Sequence, residues 1–370
     1  MNANAHWLDE RRAEAANRFA AQGVPHRRIE DWKYSDLKTA IDGANDDATL
    51  TPAVTGPLTI EHLVIRNGAE APDWVRLHLG ALPLNAMASR SFAQAREVHA
   101  FRVGATDVAD RLHLVFEGAG SAHVLIVLDD GAGLTLDETV MPAGFSNIGV
   151  EIVVGANAQL THIRKMPRSD AVQVEEYAVS VARDGVYRAH LFNGGGKLTR
   201  AEFQIALAGE NAQAHLSGVS VLGGQAHADI TTHITHAVGR TTSTQLFKKI
   251  AGGKSRAVYQ GRITVEQGAD KSDSRQTAKA LLMGERAEAD LKPELEIFAD
   301  DVKCAHGAAV GDLDANSLFY LRARGIPEAE ARNMLVRAFL EEVVAEILDA
   351  DIRATVWQAV EGALPGAMAP

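Results

Sequence analysis

The sequence predicts a mainly β protein, in which a core of short stacked strands lies between helical segments at both ends. Two observations support this prediction. Between about residues 110 and 312, short apolar runs alternate with glycine turns, and several runs have the period of two that marks a strand. Glycines in this region also recur at spacings of 15, 15, 14, 15 and 16 residues, at Gly209, Gly224, Gly239, Gly253, Gly268 and Gly284.

A regular series of glycine turns indicates repeated units of one or two strands each. Such a unit cannot bury its own apolar face, so it has to stack on its neighbours, as in a β-helix or β-solenoid. A β-sandwich whose hairpins have a similar length would produce the same period. The periodicity alone therefore leaves the solenoid and the sandwich open.

The segments before and after the glycine series read as helical. After Asp312 a short helix is expected over Ser317–Arg324, stopped by Gly325, and Pro327 suits the start of the next helix. That helix carries an apolar stripe at spacings of three and four, formed by Ala331, Leu335, Ala338, Phe339, Val343 and Ile347. We predict an N-terminal helical or mixed domain (1–109), a β core (110–312) and a C-terminal helical domain (313–370).

Composition restricts the function. The formal charge of −11 argues against a nucleic-acid partner, which needs a basic surface. No run approaches the ~18 apolar residues of a membrane-spanning helix, and the first residues do not resemble a secretory signal. The chain has one cysteine, so it has no internal disulfide and suits a reducing compartment. These features predict a cytoplasmic protein without a nucleic-acid or membrane partner.

That cysteine, Cys304, is followed two residues later by His306. On an extended strand, residues i and i+2 project from the same face. A thiol and an imidazole side by side form a ligand pair suited to iron or zinc. Two ligands do not complete a metal site, and with no second cysteine here the others would come from a partner chain.

The run around Cys304 resembles the core signature of the SufB/SufD family, the scaffold proteins of the SUF iron–sulfur cluster assembly system. Matching residues in the first part are Pro293, Leu295, Glu296, Ile297, Ala299, Asp300, Asp301, Val302, Cys304, His306, Gly307 and Ala308. A second part matches at Phe319, Tyr320, Leu321, Arg324 and Gly325, whereas Ala309 and Ala323 depart from the usual Thr and Ser. Near the start, Pro25, Arg28 and residues 30–34 (Glu-Asp-Trp-Lys-Tyr) resemble the family's N-terminal signature, and Trp32 and Tyr34 read as packing residues of the N-terminal domain.

Within that family the chain resembles the SufD branch. SufB-type chains are longer, carry a Glu where Gly307 stands, and have an additional core cysteine that receives sulfur. This chain has Gly307 and no second cysteine.

The resemblance implies a right-handed parallel β-helix and a scaffold subunit that is not an enzyme. It implies a heterodimer with SufB through the β-helix, and docking of the SufC ATPase on the C-terminal helices, for which we select Leu335, Phe339 and Val343. A transient iron–sulfur cluster would form at the SufB interface and be shared between the two chains, with Cys304 and His306 as this chain's contributions. Alone, the chain would form a homodimer.

Two further expectations concern the chemistry of these sites. An imidazolium beside Cys304 would lower the pKa of the thiol and favour the metal-binding thiolate. The two Gly-Lys segments, 194–197 and 251–255, fail the phosphate-loop spacing, because Lys248 stands where the first glycine is needed and Lys197 has no following Ser or Thr. We therefore expect this chain to bind no ATP.

Two other functions remain open at this point. His227, Asp229 and His233 share one face of an expected strand and could form the centre of a β-helix enzyme, such as a polysaccharide lyase or a metal-dependent hydrolase. A polar outer face of one coil is the plainer interpretation of these residues and of His236. The third possibility is a homo-oligomeric solenoid with no metal role.

Overall fold

The computed structural model of the chain describes residues 6–42, 48–57, 59–105 and 110–368. The expected domain boundary between residues 109 and 110, and both chain termini, include positions outside the described residues. The helices are α1 (Trp7–Gln22), α2 (Leu37–Ile41), α3 (Asp73–His78), α4 (Ala86–Gln94), α5 (Ala315–Ala323), α6 (Glu328–Val344) and α7 (Ala350–Met368), with a short 3₁₀ helix at Glu30–Trp32.

The strands of the first part of the chain are β1 (Ala53–Thr55), β2 (Glu61–Arg66), β3 (Glu97–Val103), β4 (Asp110–Leu128), β5 (Gly133–Val154), β6 (Gln159–Met166), β7 (Val172–Val181) and β8 (Val186–Asn193). Those of the second part are β9 (Leu198–Leu207), β10 (Gln213–Leu222), β11 (His227–His236), β12 (Thr242–Ala251), β13 (Arg256–Val265), β14 (Asp273–Leu282), β15 (Glu288–Ile297) and β16 (Lys303–Gly311).

The strands from β4 onward coil into a parallel β-solenoid of about eight turns, and this confirms the predicted mainly β fold with helices at both ends. Odd-numbered strands stack on one wall in the order β5, β7, β9, β11, β13, β15. Even-numbered strands stack on the other wall from β6 to β16, and the long strand β5 joins the two walls because it pairs with both β7 and β6. All pairings along these walls are parallel and in register, which excludes the sandwich.

The glycine period arises from the two corners of each turn. Residues one turn apart, such as His215 and Thr244, are 29 positions apart in sequence. A spacing near 15 therefore alternates between the corners. Gly224 and Gly253 lie at equivalent corners of successive turns, with φ of +63° and +62°, where a side chain would be strained. The period thus counts half-turns.

The two ends of the solenoid differ. At the first end, β3 pairs with β4 while β1, β2, α3 and α4 pack around the opening coils. At the last end, β15 and β16 each have one free edge among the described strands, and most of the side chains of β16 are exposed. A solenoid end without a cap leaves backbone donors and acceptors unpaired.

The helices α6 and α7 lie on the outside of the even-numbered wall. They cover the outward side chains Phe192, Val219 and Ile250 with an apolar face that includes Val343 and Val360. No helix among the described residues combines the length and apolarity that crossing a membrane requires.

Gly252 allows α7 to reach the solenoid. A β-carbon at this position would overlap the carbonyl oxygen of Ala367, near the end of α7. We expect Gly252→Ala to lower the free energy of unfolding by about 1–3 kcal/mol, because α7 has to move off the corner. The matched control is Gly362→Ala in the middle of α7, which has open space around it and should stabilise by about 0.5–1 kcal/mol. Urea denaturation of the full chain tests both, and equal effects would contradict this packing.

Candidate functional site

Cys304 and His306 lie on β16, the last strand of the solenoid. Their register partners on β14 are Ser274 and Gln276, which are both buried inside the coil. Parallel partners in register point to the same side of a sheet. Cys304 and His306 therefore point toward the interior, but no further turn formed by the described residues covers them, so His306 is exposed and Cys304 half-buried. The structure places both side chains at the open mouth of the solenoid.

The thiol does not have the lowered pKa expected from the sequence. Partial burial raises the pKa of Cys304, and the negative charge of Asp273 raises it further. In the chain alone the thiol therefore favours its protonated form. A metal, or a cationic group supplied from outside the chain, would have to shift it toward the thiolate.

Apolar side chains surround this mouth. Ile297, Phe298 and Val310 are 42%, 62% and 47% exposed. Exposed large apolar groups next to free strand edges are features of a protein interface. Cys304 and His306 thus lie within a surface suited to a partner.

The other histidine cluster does not form a metal centre. Asp229 is fully buried and accepts hydrogen bonds from Arg200 Nη1 at 2.6 Å and Ser35 Oγ at 2.6 Å. His227 Nε2 lies 3.2 Å from the same serine hydroxyl. No group of three or more His, Cys, Asp or Glu residues in the described ranges is arranged to hold a metal. The metal-dependent hydrolase interpretation, with His227, Asp229 and His233 as ligands, therefore gains no support.

His236 separates from this cluster as its strand position requires. Its ring points into the solenoid and contacts Thr241 Oγ1 at 2.7 Å and Ser243 Oγ at 2.9 Å. His233 stays on the outer face, 4.0 Å from Glu202. The polar residues of β11 thus serve two separate hydrogen-bond networks.

The N-terminal signature is a strap across the odd-numbered wall, which we define as residues 25–36. The ring of Trp32 lies 4.1 Å from the guanidinium carbon of Arg200 on β9. Asp31 pairs with Arg262 on β13 at 3.3 Å. The strap therefore holds successive turns together, a role beyond the packing within the N-terminal domain that the sequence indicated for Trp32.

The strap also reaches the last strand of its wall. Glu30 accepts a hydrogen bond from Lys292 on β15 at 2.7 Å. Gln260 donates to the carbonyl oxygen of Asp31 at 3.0 Å. These contacts support the turn that precedes the open mouth.

Sequence reasoning missed a buried serine–histidine–glutamate line. His123 Nδ1 lies 3.0 Å from Ser91 Oγ, and its Nε2 lies 3.0 Å from Glu151 Oε1. All three residues are 0–1% exposed, and Ser91 also donates to the carbonyl oxygen of Ala88. Glu151 further accepts from the backbone N–H of Gly80 at 2.7 Å. The line fastens α4 and the loop before it to the solenoid.

The predicted apolar stripe on α6 coincides only in part with the buried face, which includes Ala331, Val343 and Ile347. Val343 is 3% exposed and packs against the solenoid, so it is not free for a partner in this arrangement. Leu335 and Phe339 are half-buried. Lys248 donates to the carbonyl oxygen of Phe339 at 2.6 Å and pairs with Glu342, which fixes the helix on the wall.

Comparison with known sequences shows which family the chain belongs to. Residues 115–339 match the sequence model described as SUF system FeS cluster assembly, SufBD core domain. This match covers more than half of the chain. The chain belongs to the SufB/SufD family. Residues 1–45, which include α1 and the whole strap, match the SufBD protein N-terminal region.

Relatives within the SufB/SufD family confirm the predicted SufD-type member. The iron-sulfur cluster assembly protein SufD of Escherichia coli is 36% identical over 259 residues, covering 68% of this chain and 61% of that protein. SufD of Bacillus subtilis is 31% identical over 235 residues, covering 61% and 53%. A SufBD family protein of Synechocystis is 27% identical over 415 residues, covering 95% and 90%. The alignments thus span less than two thirds of the two SufD proteins.

The buried histidines predict how stability varies with pH. Burial lowers the pKa of His227 to about 4, although Asp229 acts in the opposite direction. An unfolded histidine has a pKa of about 6.5, so between these values the unfolded chain binds more protons and stability falls as the pH falls. His190 and His236 act in the same direction, because burial lowers the pKa of each to about 4.

We expect His227→Asn to flatten the dependence of unfolding free energy on pH between about 6.5 and 4, by up to ~1.4 kcal/mol per pH unit. Glu176 opposes this trend in every variant, because burial and the charge of Glu202 raise its pKa to about 8. Comparing the slopes of wild type and variant by urea denaturation removes that common contribution. Parallel slopes would show that His227 is not held neutral by the strap.

Proposed function

We propose that this chain is a non-enzymatic scaffold subunit of the SUF iron–sulfur cluster assembly complex. The observation that carries the proposal is the uncapped last turn of the solenoid, which presents Cys304 and His306 at its open mouth. Membership of the SufB/SufD family supplies the biological context. The single thiol suits a reducing compartment, and we place the complex in the cytoplasm.

The partner at the mouth is SufB in this proposal. The free edges of β15 and β16 can continue into strands of a second solenoid, and strand addition satisfies backbone groups that are now unpaired. Ile297, Phe298 and Val310 would then be buried between the two coils. In the absence of SufB, a second copy of this chain offers the same edges, which supports a homodimer.

Cys304 and His306 fit a site shared between two chains. Sulfur and nitrogen ligands suit iron, and mixed Cys/His ligation tunes a cluster differently from four cysteines. Two side chains cannot complete a cluster's ligand set, so SufB would supply the others. The cluster is cargo in this proposal: it forms at the interface and is passed on. His306 is exposed at the mouth whereas Cys304 is half-buried, so His306 is the stronger candidate ligand.

We propose that ATP hydrolysis belongs to SufC and not to this chain. Both Gly-Lys segments form corners of the solenoid: residues 194–197 join β8 to β9, and residues 252–255 join β12 to β13. Neither precedes a helix, whereas a phosphate-binding loop uses the N-terminus of one.

SufC docking is proposed for the outer side of the C-terminal helices. The helix α5 has no buried residue, and Phe319 and Tyr320 on it are 74% and 58% exposed. On α6, Met334 is 44% exposed, and Leu335 and Phe339 are half-buried. These side chains form an accessible apolar surface, and Val343 supports it from behind.

His306→Ala tests the cluster site. The exposed ring makes no hydrogen bond to another described residue, so its loss should change the unfolding free energy by less than ~0.5 kcal/mol. We expect the complex with SufB and SufC to assemble but to hold far less iron and labile sulfide after reconstitution. Cys304→Ala should have a milder effect. The control is His113→Ala, which removes a half-buried histidine on β4 that pairs with Asp137. Wild-type cluster content in His306→Ala would remove the ligand role.

Two variants distinguish a residue that would contact SufC from one that packs α6 against the solenoid: Phe319→Ala and Val343→Ala. An aromatic anchor at an interface often contributes ~2 kcal/mol, so we expect Phe319→Ala to weaken SufC binding about thirtyfold with unchanged stability. Val343→Ala leaves a cavity under α6 and should lower stability by about 1–2 kcal/mol. Calorimetric titration with SufC and urea denaturation measure the two effects. Unchanged SufC affinity for Phe319→Ala would exclude α5 from the docking surface. Removing residues 327–370 is a poorer test, because it would expose the apolar wall beneath α6 and α7.

A further inference from the structure

Gln276 lies directly next to His306, one turn deeper in the solenoid. The two residues are register partners on β14 and β16, and Gln276 is 1% exposed. Side chains of such partners stack about 4.8 Å apart along the wall. In the same ladder, Ser274 lies beneath Cys304 and Gln276 lies beneath His306.

A hydrogen-bond chain through Tyr259 and Gln245 holds the Gln276 amide in the interior. Its Nε2 donates to the hydroxyl oxygen of Tyr259 at 2.9 Å, and that hydroxyl donates to Oε1 of Gln245 at 3.0 Å. Thr232 donates to the same Gln245 oxygen at 2.6 Å. Because the Tyr259 proton is committed to Gln245, the Tyr259 oxygen is left to accept from the nitrogen of Gln276.

The amide oxygen of Gln276 is left without a partner. Its Oε1 is buried and forms no hydrogen bond to any described residue. An unpaired buried acceptor is unfavourable. The arrangement therefore favours a hydrogen bond to Oε1 from a donor that does not belong to the Tyr259–Gln245 network. The nearest ladder position belongs to His306, whose ring also has no described partner.

The site beneath His306 depends on a glycine across the interior. A β-carbon at Gly261 on β13 would overlap Nε2 of Gln276, and it would lie 2.5 Å from the hydroxyl of Tyr259. The missing side chain is therefore what lets Gln276 reach Tyr259. The space at Gly261 lets Gln276 bond to Tyr259 through Nε2. Its unpartnered Oε1 is then available to accept a hydrogen bond from a ring N–H.

We propose that Gln276 is the positioning residue of His306. Its Oε1 accepts a hydrogen bond from one imidazole nitrogen, which fixes the neutral tautomer and the ring plane. The lone pair of the other nitrogen then points out of the mouth toward the partner chain. A second hydrogen bond of this kind commonly orients a metal-binding histidine. The consequence for cargo binding rests on the proposed function, whereas the tautomer is a property of this chain alone.

The first experiment measures the tautomer of His306 in the full chain without metal. Histidine labelled with ¹⁵N is observed by NMR at about pH 8.5, above the ordinary histidine pKa of ~6.5, and the His306 signals are assigned by their loss in His306→Ala. We expect one tautomer to dominate. Gln276→Leu removes the acceptor and should change the tautomer ratio about fivefold, the factor that corresponds to a typical net hydrogen bond of ~1 kcal/mol.

Two variants make the result specific. Gln276→Glu keeps an acceptor at the same position and should restore the wild-type ratio. Thr277→Ala alters the neighbouring residue of β14, which pairs with Gly307 and faces outward, and should leave the ratio unchanged. If Gln276→Leu does not fold, Tyr259→Phe replaces it, because loss of the hydroxyl frees the amide to rotate and should weaken the preference. An unchanged ratio in the folded acceptor variant, or equal changes in Thr277→Ala, would overturn the proposal.

The second experiment measures cargo retention in the complex with SufB and SufC. Loss of an orienting partner commonly weakens metal binding about ten- to hundredfold, so Gln276→Leu should release iron to a chelator correspondingly faster. If His306→Ala abolishes the cluster but Gln276→Leu alters neither the tautomer nor iron release, only the positioning role fails. If the tautomer shifts and His306→Ala keeps a full cluster, the ligand role fails while the hydrogen bond stands.

Discussion

The in-register stacking of parallel turns is the constraint on which the rest of this structure depends. Each strand satisfies its backbone groups only by pairing with the strand one turn before and one turn after it. The walls have to end, and the chain ends them in two ways. The N-terminal strands and helices cover the first turns, whereas β15 and β16 each keep one edge that no described strand pairs with. The free edges, the exposed apolar side chains around the mouth and the exposed His306 all follow because no further described turn stacks on this end.

The stacking also explains how polar groups can fill the interior. Successive turns place equivalent side chains above one another, so a polar residue can be satisfied by its neighbour in the ladder or by the facing wall. Arg164 and Glu175 form a fully buried ion pair at 2.7 Å, and the hydroxyl of Tyr177 joins it through Glu175 at 3.1 Å. Removing one member would leave a buried charge without a partner, which is far more costly than losing an exposed pair. These networks make the interior specific to one register, since a slip by one residue would separate every pair.

Much of the fold could be predicted from the sequence because corners recur locally. Glycines at fixed spacing mark the corners, and residues i and i+2 on a strand share a face, so the coil and the Cys304–His306 pair could both be predicted. Contacts between turns could not, because partners about thirty residues apart leave no local signal. The Gln276 amide beside His306 and the Ser91–His123–Glu151 line belong to that class. The stripe on α6 was predicted only in part: Ala331, Val343 and Ile347 are buried, whereas Leu335 and Phe339 are half-buried, because steps of four residues drift by ~40° around a helix and carry these two to the edge of the buried face.

The strap is synthesised long before some of the strands that it contacts. Glu30 and Lys292 are 262 positions apart in sequence, yet they close the same surface. At ~5–20 residues per second of synthesis, the strap would leave the ribosome roughly ten to fifty seconds before β15 exists to receive it. During that interval the first turns can stack on the N-terminal helices while the strap has only part of its binding surface. The open end of the solenoid is thus secured late in synthesis, and one of the first segments made secures it.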